Sequence, residues 1–342
     1  MKNVPTLKNE YQISSQSVNY SPNFKNEDCF TRNRRYGILS TRIYIASLQR
    51  SNSMVANFMG LKKSQIIQSS LTDEIAKFLV IVDHDYHSIA VVIRGTFCLK
   101  DVLTDLLCES VPFQNGKAHR GFLQASELII NQVWATLKKA LRDHQGYELI
   151  LAGHSMGGSV AEIITMKLIE NDSYKILPPG CNIRCVSVGP APCYVGELSD
   201  YCKRRINIYI NEDDFVPHLS LGSFHKIVAT LKELDAMGLK NDDLIRIVGN
   251  MQKKHANLET VKKIIKKIHK EKFSFLYHPG TLWVIKKCDK CVTVTKQPDE
   301  ISRFLAENLD ILNSKVAAHF PIKYENNFKM KYYIHQSNIK KD

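Results

Sequence analysis

The sequence predicts an α/β protein in which a mostly parallel central sheet is covered by helices on both faces. Short β-branched apolar runs, which are typical of buried strands, alternate along the chain with longer segments of helical periodicity. Strands that alternate with helices favour parallel pairing and a sheet that is buried on both faces. Residues 229–272 depart from this alternation, because they are Lys-rich, have helical spacing and contain no strand pattern. They therefore predict a helical insertion in the fold.

The chain of 342 residues is long enough for one large domain or two ordinary domains. Hydrophobic residues make up 44% of it, which favours a packed core, and no apolar run approaches the roughly 20 residues of a membrane-spanning helix. Met1–Gln16 lacks the apolar core of a signal peptide, and nine irregularly spaced cysteines are typical of reduced thiols, so we expect a cytoplasmic protein. We predict a polar arm in residues 1–40, one domain in residues 41–328 and a basic tail in residues 329–342.

In the first half of the chain, three segments have a clear pattern. Lys77–Val82 and Ser88–Arg94 are β-branched apolar runs on either side of a short polar turn, which predicts a hairpin. Leu123–Leu141 repeats apolar residues at helical spacing and is followed by the sequence HQG, so it predicts an amphipathic helix that ends there. The helical spacing in Arg42–Phe58 is weaker.

The second half continues the alternation of strands and helices. Tyr147–Ala152 predicts a buried strand, and Ser159–Ile169 predicts the helix that follows it. Three further strands are predicted at Ile183–Val188, Ile206–Ile210 and Leu282–Ile285. Cys288–Cys291 is a C-x-x-C motif, but a zinc site usually needs a second such pair. We therefore interpret it as the turn of a hairpin between Trp283–Lys287 and Val292–Lys296, and predict no metal site.

The formal net charge of +13 indicates a basic surface, and Lys253–Lys272 concentrates eight lysines within the predicted insertion. Such a segment could contact an anionic membrane or act as a lid, or it could be a solvated helix face, which is the commoner outcome. The basic residues are not interleaved with aromatic ones and no zinc-finger spacing is present, so the sequence does not predict nucleic-acid binding.

Gly153–Gly157, with the sequence GHSMG, matches the motif G-x-S-x-G between a predicted strand and a predicted helix. In that context the motif predicts a nucleophile elbow, a sharp turn that exposes the hydroxyl group of Ser155. Gly153 and Gly157 remove side chains that would collide across such a turn. The helix that begins at Met156 directs N–H groups toward the place where negative charge develops when an alcohol attacks a carbonyl group.

A serine nucleophile needs a base, and the base needs a carboxylate that orients it. In chain order the acid follows a later strand and the histidine follows the acid. Ile206–Ile210 ends just before an acidic turn in which Asp213 and Asp214 are the candidate acids. Seven histidines qualify as the base by order alone: His218, His225, His255, His269, His278, His319 and His335. Order and spacing do not choose between His278 and His319, which lie on either side of the last predicted strands.

Several ordered motifs resemble those of the class 3 lipases, a fungal-lipase-like family of the α/β-hydrolase superfamily that includes the diacylglycerol lipases. The resemblance covers roughly Ala90–Tyr324. The segments that carry it are Val91–Thr96 with Asp101 and Thr104–Asp105, His119–Phe122, Gly153–Gly158, Val188–Pro192, Asp214–Pro217, Tyr277–Gly280 and His319–Pro321. This resemblance implies the α/β-hydrolase fold.

The same resemblance implies a role for each site residue. It implies a catalytic triad of Ser155, Asp214 and His319, and so favours Asp214 over Asp213 and His319 over His278. The implied oxyanion hole consists of backbone N–H groups of two residues, which are Thr96 and Met156. The residues of the implied elbow around the nucleophile are Gly153, His154 and Gly157.

The implied activity is hydrolysis of acyl esters of glycerolipids, either di- or triacylglycerols, through an acyl-enzyme and without a cofactor. Peripheral contact with an anionic membrane through Lys253–Lys272 would accompany it, and no particular oligomeric state is predicted. Two alternatives stay open at this point. One is a phospholipase A1 or soluble carboxylesterase, and the other is a catalytically inactive pseudo-hydrolase that binds lipid or protein.

Overall fold

The computed structural model describes residues 24–49, 51–71, 77–96, 109–170, 177–178, 180–212, 214–236, 273–297, 299–307 and 317–336. The helices are α1 Phe24–Ala46, α2 Asn52–Met59, α3 Arg120–Asp143, α4 Met156–Glu170, α5 Asp200–Arg205, α6 Leu221–Asp235, α7 Glu300–Glu307 and α8 Pro321–Lys329. The strands are β1 Ile66–Ser70, β2 Phe78–Asp83, β3 Ser88–Ile93, β4 Ser110–Phe113, β5 Gly116–His119, β6 Glu148–His154, β7 Ile183–Val188, β8 Tyr194–Gly196, β9 Ile206–Asn211, β10 Thr281–Lys287, β11 Cys291–Lys296 and β12 Lys331–Gln336.

In this part of the chain, nine strands form the central sheet in the order β1-β2-β3-β6-β7-β9-β10-β11-β12. The middle strands β3, β6, β7, β9 and β10 are parallel to one another. Parallel strands bring their carboxyl ends to one edge of the sheet, so the residues that follow Ile93, His154 and Asn211 meet there. A small antiparallel sheet of β4, β5 and β8 lies beside the central one.

Two apolar clusters cover the two faces of the central sheet. Leu149 and Leu151 of β6 pack in the cluster that contains the buried residues of α3 and α4. Ile150 and Ala152, which alternate with them, pack in the cluster that contains the buried residues of α1, α2 and α8. Successive side chains of a strand point to opposite faces, so the run Leu149–Ala152 must be apolar at every position to satisfy both clusters. The sheet is therefore a buried layer between two layers of helices.

This architecture confirms the predicted fold class and most of the predicted elements. The hairpin of β2 and β3, the long helix α3 and the strands β6, β7 and β9 lie within one to three residues of the boundaries that the sequence predicts. The hairpin around the C-x-x-C motif is also present, with Trp283 paired to Lys296 and Lys287 paired to Val292. The weak helical pattern of Arg42–Phe58 corresponds to two helices, the end of α1 and the whole of α2.

The prediction of a polar arm in residues 1–40 is wrong for residues 24–40, which belong to α1. This helix buries Tyr36, Leu39 and Ile43 against the sheet, and each is 1% exposed or less. The apolar positions alternate with arginines and asparagines, so the segment has a polar composition although one face is apolar. Residues 1–23 lie outside the described part of the chain.

The prediction of a basic tail in residues 329–342 is wrong for residues 331–336, which form β12 and pair in parallel with β11. Tyr332 and Ile334 of this strand pack against the cluster that contains α1 and α8. Lysines at its start and after its end gave the segment its basic composition. Residues 337–342 are outside the described residues, as is nearly all of the predicted insertion, residues 237–272, including Lys253–Lys272. Across the described residues, none of the helices is both long enough and apolar enough to cross a bilayer.

Candidate active site

Ser155 occupies the single position between β6 and α4, at the carboxyl edge of the sheet. Its backbone has φ of 58°, in the left-handed region that a non-glycine residue rarely adopts. The turn is held on both sides, because the N–H group of Ser155 donates to the carbonyl oxygen of Val188 at 2.8 Å and its carbonyl oxygen accepts from Gly158 at 2.9 Å. The turn has the sharp geometry that the motif predicts, with the strained conformation at the serine, and the role of Ser155 as nucleophile stays a prediction.

The two glycines of the motif are required by contacts between backbone segments. A Cβ atom added to Gly153 would lie 2.2 Å from the carbonyl oxygen of Gly157, and one added to Gly157 would lie 2.5 Å from the carbonyl oxygen of Ile93. Gly95 is equally close to the elbow, since its added Cβ atom would lie 2.5 Å from the carbonyl oxygen of His154. The end of β3 and the start of α4 are thus packed backbone against backbone around Ser155.

The structure brings Ser155, His319 and Asp214 into one series of hydrogen bonds. His319 Nε2 lies 2.9 Å from Ser155 Oγ, and His319 Nδ1 lies 2.9 Å from Asp214 Oδ2 and 3.1 Å from Asp214 Oδ1. Asp214 follows β9 and His319 precedes α8, so the three residues come from separate parts of the chain. The separations between them are 164 and 105 residues along the sequence.

The Asp214 carboxylate is 1% exposed and accepts two further hydrogen bonds. The Tyr324 hydroxyl donates to Oδ2 at 2.7 Å, and the Val216 N–H group donates to Oδ1 at 2.9 Å. The Tyr324 hydroxyl in turn accepts a hydrogen bond from the N–H group of Asn211 at 2.9 Å. Donors on both oxygens stabilise a buried negative charge and fix the plane of the carboxylate against the His319 ring.

Thr96 and Met156, the predicted oxyanion residues, lie next to each other beside the elbow. Thr96 Oγ1 is 3.5 Å from Met156 Sδ. Met156 is the first residue of α4, and the first N–H groups of a helix have no acceptor within it. Such a donor beside a nucleophile can stabilise negative charge. The roles of the two residues stay predictions.

Among the other candidates that the sequence left open, His278 has a different hydrogen-bond partner. His278 is buried, but its Nε2 atom lies 3.0 Å from the carbonyl oxygen of Pro217. Burial lowers the pKa of His278 to about 4, so the ring is neutral at physiological pH. Asp213, His255 and His269 lie outside the described residues. Among the residues that the structure does describe, no three acidic, histidine or cysteine side chains are grouped so that they could hold a metal ion.

Two residues of the site could not be found by the sequence analysis. Tyr324 contacts Asp214 from α8, and Tyr44 of α1 contacts His154 of the elbow, with its hydroxyl 3.0 Å from His154 Nδ1. Each contact joins residues 110 positions apart in the chain. No local motif marks either tyrosine, and only the tertiary packing of α1 and α8 on one face of the sheet brings them to the site.

Comparison with known sequences shows that the region around the elbow is similar to lipases. Residues 90–224 match the family described as lipase (class 3). Diacylglycerol lipase-beta of Mus musculus is 30% identical over 173 residues, which are 47% of this chain and 25% of the mouse protein. A lipase of Rhizopus niveus is 29% identical over 144 residues, which are 40% of this chain and 36% of that lipase. The chain thus spans well under half the length of these relatives.

Comparison with solved structures extends the similarity beyond the matched region, as a similarity of fold. A triacylglycerol lipase described as having a serine protease triad as its catalytic centre aligns with a TM-score of 0.56 and 16% identity, over 89% of this chain and 96% of that one. Lipase II from Rhizopus niveus aligns with a TM-score of 0.54 and 17% identity, over 87% and 94% of the two chains. Residues 90–224 thus match the class 3 lipase family, and the described part of the chain has the α/β-hydrolase fold that it shares with these solved lipases.

Proposed function

We propose that this protein hydrolyses carboxylic esters of glycerolipids through an acyl-enzyme formed on Ser155. The observation that carries the proposal is the unbroken series of hydrogen bonds from Ser155 Oγ through the His319 ring to the Asp214 carboxylate. A serine hydroxyl is a weak nucleophile on its own, and an imidazole at 2.9 Å that is held by a buried carboxylate is the arrangement that activates it.

The positions of the protons follow from the partners of the His319 ring. The Asp214 carboxylate can only accept a hydrogen bond, so Nδ1 carries the proton of the neutral imidazole and Nε2 is free to accept one. As Ser155 Oγ attacks the ester carbonyl carbon, its proton moves to Nε2 and the ring becomes positively charged. The buried Asp214 carboxylate stabilises that charge without taking the proton itself.

The remaining steps use the same residues in reverse roles. His319 gives its proton to the departing alcohol oxygen as the carbon–oxygen bond breaks, which leaves the acyl group on Ser155 and releases the alcohol. A water molecule then gives a proton to Nε2 as its oxygen attacks the acyl carbon. Nε2 returns that proton to Ser155 Oγ as the bond between Oγ and the acyl carbon breaks, and the carboxylic acid leaves. In both steps the negative charge on the carbonyl oxygen would be stabilised by the Met156 N–H group and by the N–H or hydroxyl group of Thr96.

Glycerolipids are the proposed substrate class for two reasons. The relatives with similar sequences are named as diacylglycerol lipases and lipases. In addition, Phe320 and Ile322, one and three residues after His319, are 55% and 54% exposed. Exposed apolar side chains on both sides of Pro321, so close to His319 in the chain, favour contact with the acyl chains of a lipid. Diacylglycerol and triacylglycerol are the two substrates to compare first.

The test is labelling of the protein with a fluorophosphonate probe, combined with hydrolysis of emulsified diacylglycerol and triacylglycerol. Ser155→Ala should abolish labelling and lower hydrolysis by a factor on the order of a million, as loss of a triad nucleophile does. Ser159→Ala is the matched control, because this buried serine lies one turn later in α4 and its hydroxyl group donates to the carbonyl oxygen of Ala191 at 2.8 Å.

Equal labelling of the Ser155→Ala and Ser159→Ala proteins would contradict the proposed nucleophile. Absence of labelling in the unmodified protein would indicate a pseudo-hydrolase. Phosphatidylcholine vesicles and a soluble short-chain ester complete the panel. Faster hydrolysis of phosphatidylcholine than of the acylglycerols would indicate a phospholipase, and faster hydrolysis of the short-chain ester would indicate a carboxylesterase.

A further inference from the structure

A buried imidazole that the proposed reaction does not use lies directly beside the nucleophile. His154 precedes Ser155, is 1% exposed, and its ring centre lies 4.7 Å from that of His319. Burial, followed by the proximity of His319, holds the pKa of His154 well below its usual range. The ring is therefore neutral during the reaction and carries a proton on only one of its two nitrogens.

The partners of His154 identify which nitrogen carries that proton. Nε2 lies 3.0 Å from the backbone carbonyl oxygen of His319, which can only accept a hydrogen bond, so Nε2 is the donor. Nδ1 must then accept, and the Tyr44 hydroxyl at 3.0 Å is its donor. The Tyr44 hydroxyl itself accepts a hydrogen bond from the N–H group of Gly95. All four groups thus have defined donor and acceptor roles.

This arrangement links three segments that must stay in register for catalysis. Gly95 precedes the predicted oxyanion residue Thr96, His154 precedes the nucleophile, and the His319 carbonyl group belongs to the base itself. A second bond holds the neighbouring peptide, since the Asn211 side-chain N–H group donates to the carbonyl oxygen of Ala318 at 3.1 Å. With both carbonyl groups fixed, the direction of the His319 side chain toward Ser155 Oγ is also fixed.

We propose that Tyr44 is a positioning residue: its hydroxyl fixes the tautomer of His154, which then holds the backbone of His319 in place for proton transfer from Ser155. The inference rests on the proposed function in that it concerns the same base. It assigns a role in the site to α1, which lies outside residues 90–224 that match the family.

The decisive variant is Tyr44→Phe, which removes only the hydroxyl group, and Tyr36→Phe is its matched control. Tyr36 lies on the same helix, is 1% exposed and bonds through its hydroxyl to Ser88 Oγ at the far end of β3. Tyr44→Phe should lower kcat by about 10- to 100-fold with KM unchanged, because small displacements of a base cost rate rather than binding. Tyr36→Phe should keep kcat while losing a comparable buried hydrogen bond.

A spectroscopic measurement separates positioning from a general loss of stability. Nitrogen NMR of protein labelled in its histidine rings should show His154 protonated at Nε2 in the unmodified protein and in Tyr36→Phe. In Tyr44→Phe the Nδ1 atom has lost its donor, so a mixture of the two tautomers should appear. A further pair of variants tests the donor itself: His154→Gln keeps an N–H group for the His319 carbonyl and should retain more activity than His154→Leu.

Two results would overturn the inference: an equal loss of kcat in Tyr44→Phe and Tyr36→Phe, or an unmodified protein in which His154 is protonated at Nδ1. Failure of the proposed function has a different signature. An unmodified protein that neither hydrolyses esters nor reacts with a fluorophosphonate would disprove the function, and the NMR comparison of Tyr44→Phe with Tyr36→Phe would then decide the inference alone.

Discussion

Ser155 and His319 meet in one hydrogen bond of 2.9 Å, but the protein holds the two residues by different means. Ser155 is held by packing of backbone segments, since no Cβ atom fits at Gly153 or Gly157 on either side of it. His319 is held mainly by hydrogen bonds, from its ring to Asp214 and from His154 to its carbonyl oxygen. The nucleophile is thus positioned mainly by close contacts between backbone segments, whereas the base depends on hydrogen bonds that involve polar side chains from distant parts of the chain.

The comparison predicts different kinds of damage on the two sides. Substitutions at the elbow should disturb folding together with activity, because they force backbone segments apart. Substitutions around the base should mainly reduce activity, because the hydrogen bonds orient a ring that is otherwise free to rotate. The predictions below test that difference.

The largest effect is expected for Asp214→Asn on the side of the base. An amide at this position can present its N–H group to His319 Nδ1, which moves the imidazole proton to Nε2 and prevents that nitrogen from accepting the proton of Ser155. The analogous change in a serine protease triad lowers kcat by about 10,000-fold, and we expect a loss of that order in kcat/KM here.

The control for Asp214→Asn is the thermal midpoint of unfolding, which should change little, because Asn is close to Asp in shape and its oxygen can still accept from Val216. Activity within about tenfold of the unmodified protein would be a loss far smaller than that of a triad acid. Such a result would mean that Asp214 does not orient the base.

The second largest effect is expected for Gly157→Ala on the side of the elbow. The added methyl group would lie 2.5 Å from the carbonyl oxygen of Ile93 and 2.9 Å from the carbonyl carbon of Arg94, so backbone must move. We expect a loss of about 3 kcal/mol or more in the free energy of unfolding, measured by urea denaturation, and loss of activity with it.

Gly146→Ala is the control that separates overlap of atoms from strain in the backbone. Gly146 has φ of 83° but no atom within 4 Å of an added Cβ, so only the strain of the left-handed region applies, about 1–2 kcal/mol. Equal losses of stability in the two variants would show that the glycine of the elbow is needed for its backbone angles and not for close packing.

The same difference explains how much of the site could be predicted from the sequence. The elbow is encoded locally, so Gly153–Gly157 identified Ser155 without any structure. Asp214 was one of two adjacent candidates at a strand end. His319 could not be separated from His278 by order and spacing, because both follow the acid and their partners are set by the tertiary fold.

One part of the fold that was missed, helix α1, contacts the residue that holds the backbone of the base. Helix α1 was predicted as a polar arm, because its buried residues are spaced among arginines such as Arg35, whose ion pair with Asp83 lies at 2.9 Å. Its contact from Tyr44 to His154 spans 110 residues. A pattern of hydrophobic residues identifies the face of a helix, but it does not specify which polar group that face will meet.

A smaller effect is expected for Tyr324→Phe, which removes a hydrogen bond to the acid that orients the base. Removal of this hydroxyl takes one donor from Asp214 Oδ2 and leaves the N–H group of Asn211 without this acceptor. We expect kcat to fall by about tenfold and the free energy of unfolding to fall by about 1–3 kcal/mol, the cost of a buried polar group that loses its partner.

Tyr209→Phe is the matched control for Tyr324→Phe. Tyr209 is 1% exposed in the same apolar cluster, and its hydroxyl accepts from Asn33 at 2.9 Å without touching Asp214. It should lose a similar amount of stability and keep its kcat. If kcat falls as much in Tyr209→Phe as in Tyr324→Phe, the Tyr324 hydroxyl group stabilises the fold and does not specifically orient Asp214.

The smallest effect on activity is expected from Glu162, which lies in α4 two turns after Ser155 and tests the packing beneath the elbow. The carboxyl group is fully buried, with the Cys193 thiol donating to Oε2 at 3.1 Å, and burial raises its pKa from 4.5 to about 8. The folded protein therefore keeps this proton up to a higher pH than the unfolded chain does. The free energy of unfolding should fall as pH rises from about 4.5 to about 8, by at most about 1.4 kcal/mol per pH unit from this group.

Glu162→Gln should remove the contribution of this group to the pH dependence of the free energy of unfolding. Between pH 5 and pH 8 the variant should therefore lose less stability than the unmodified protein does. Glu109→Gln is the control, because it makes the same chemical change in a side chain that is 76% exposed. Activity of Glu162→Gln at neutral pH should match that of the unmodified protein, since Gln has the shape of the protonated carboxyl group. The free energy of unfolding could instead depend on pH in the same way in Glu162→Gln and in the unmodified protein, when measured by urea denaturation between pH 5 and pH 8. That result would show that Glu162 titrates normally, and that the packing beneath the elbow is looser than the backbone contacts around Ser155 require.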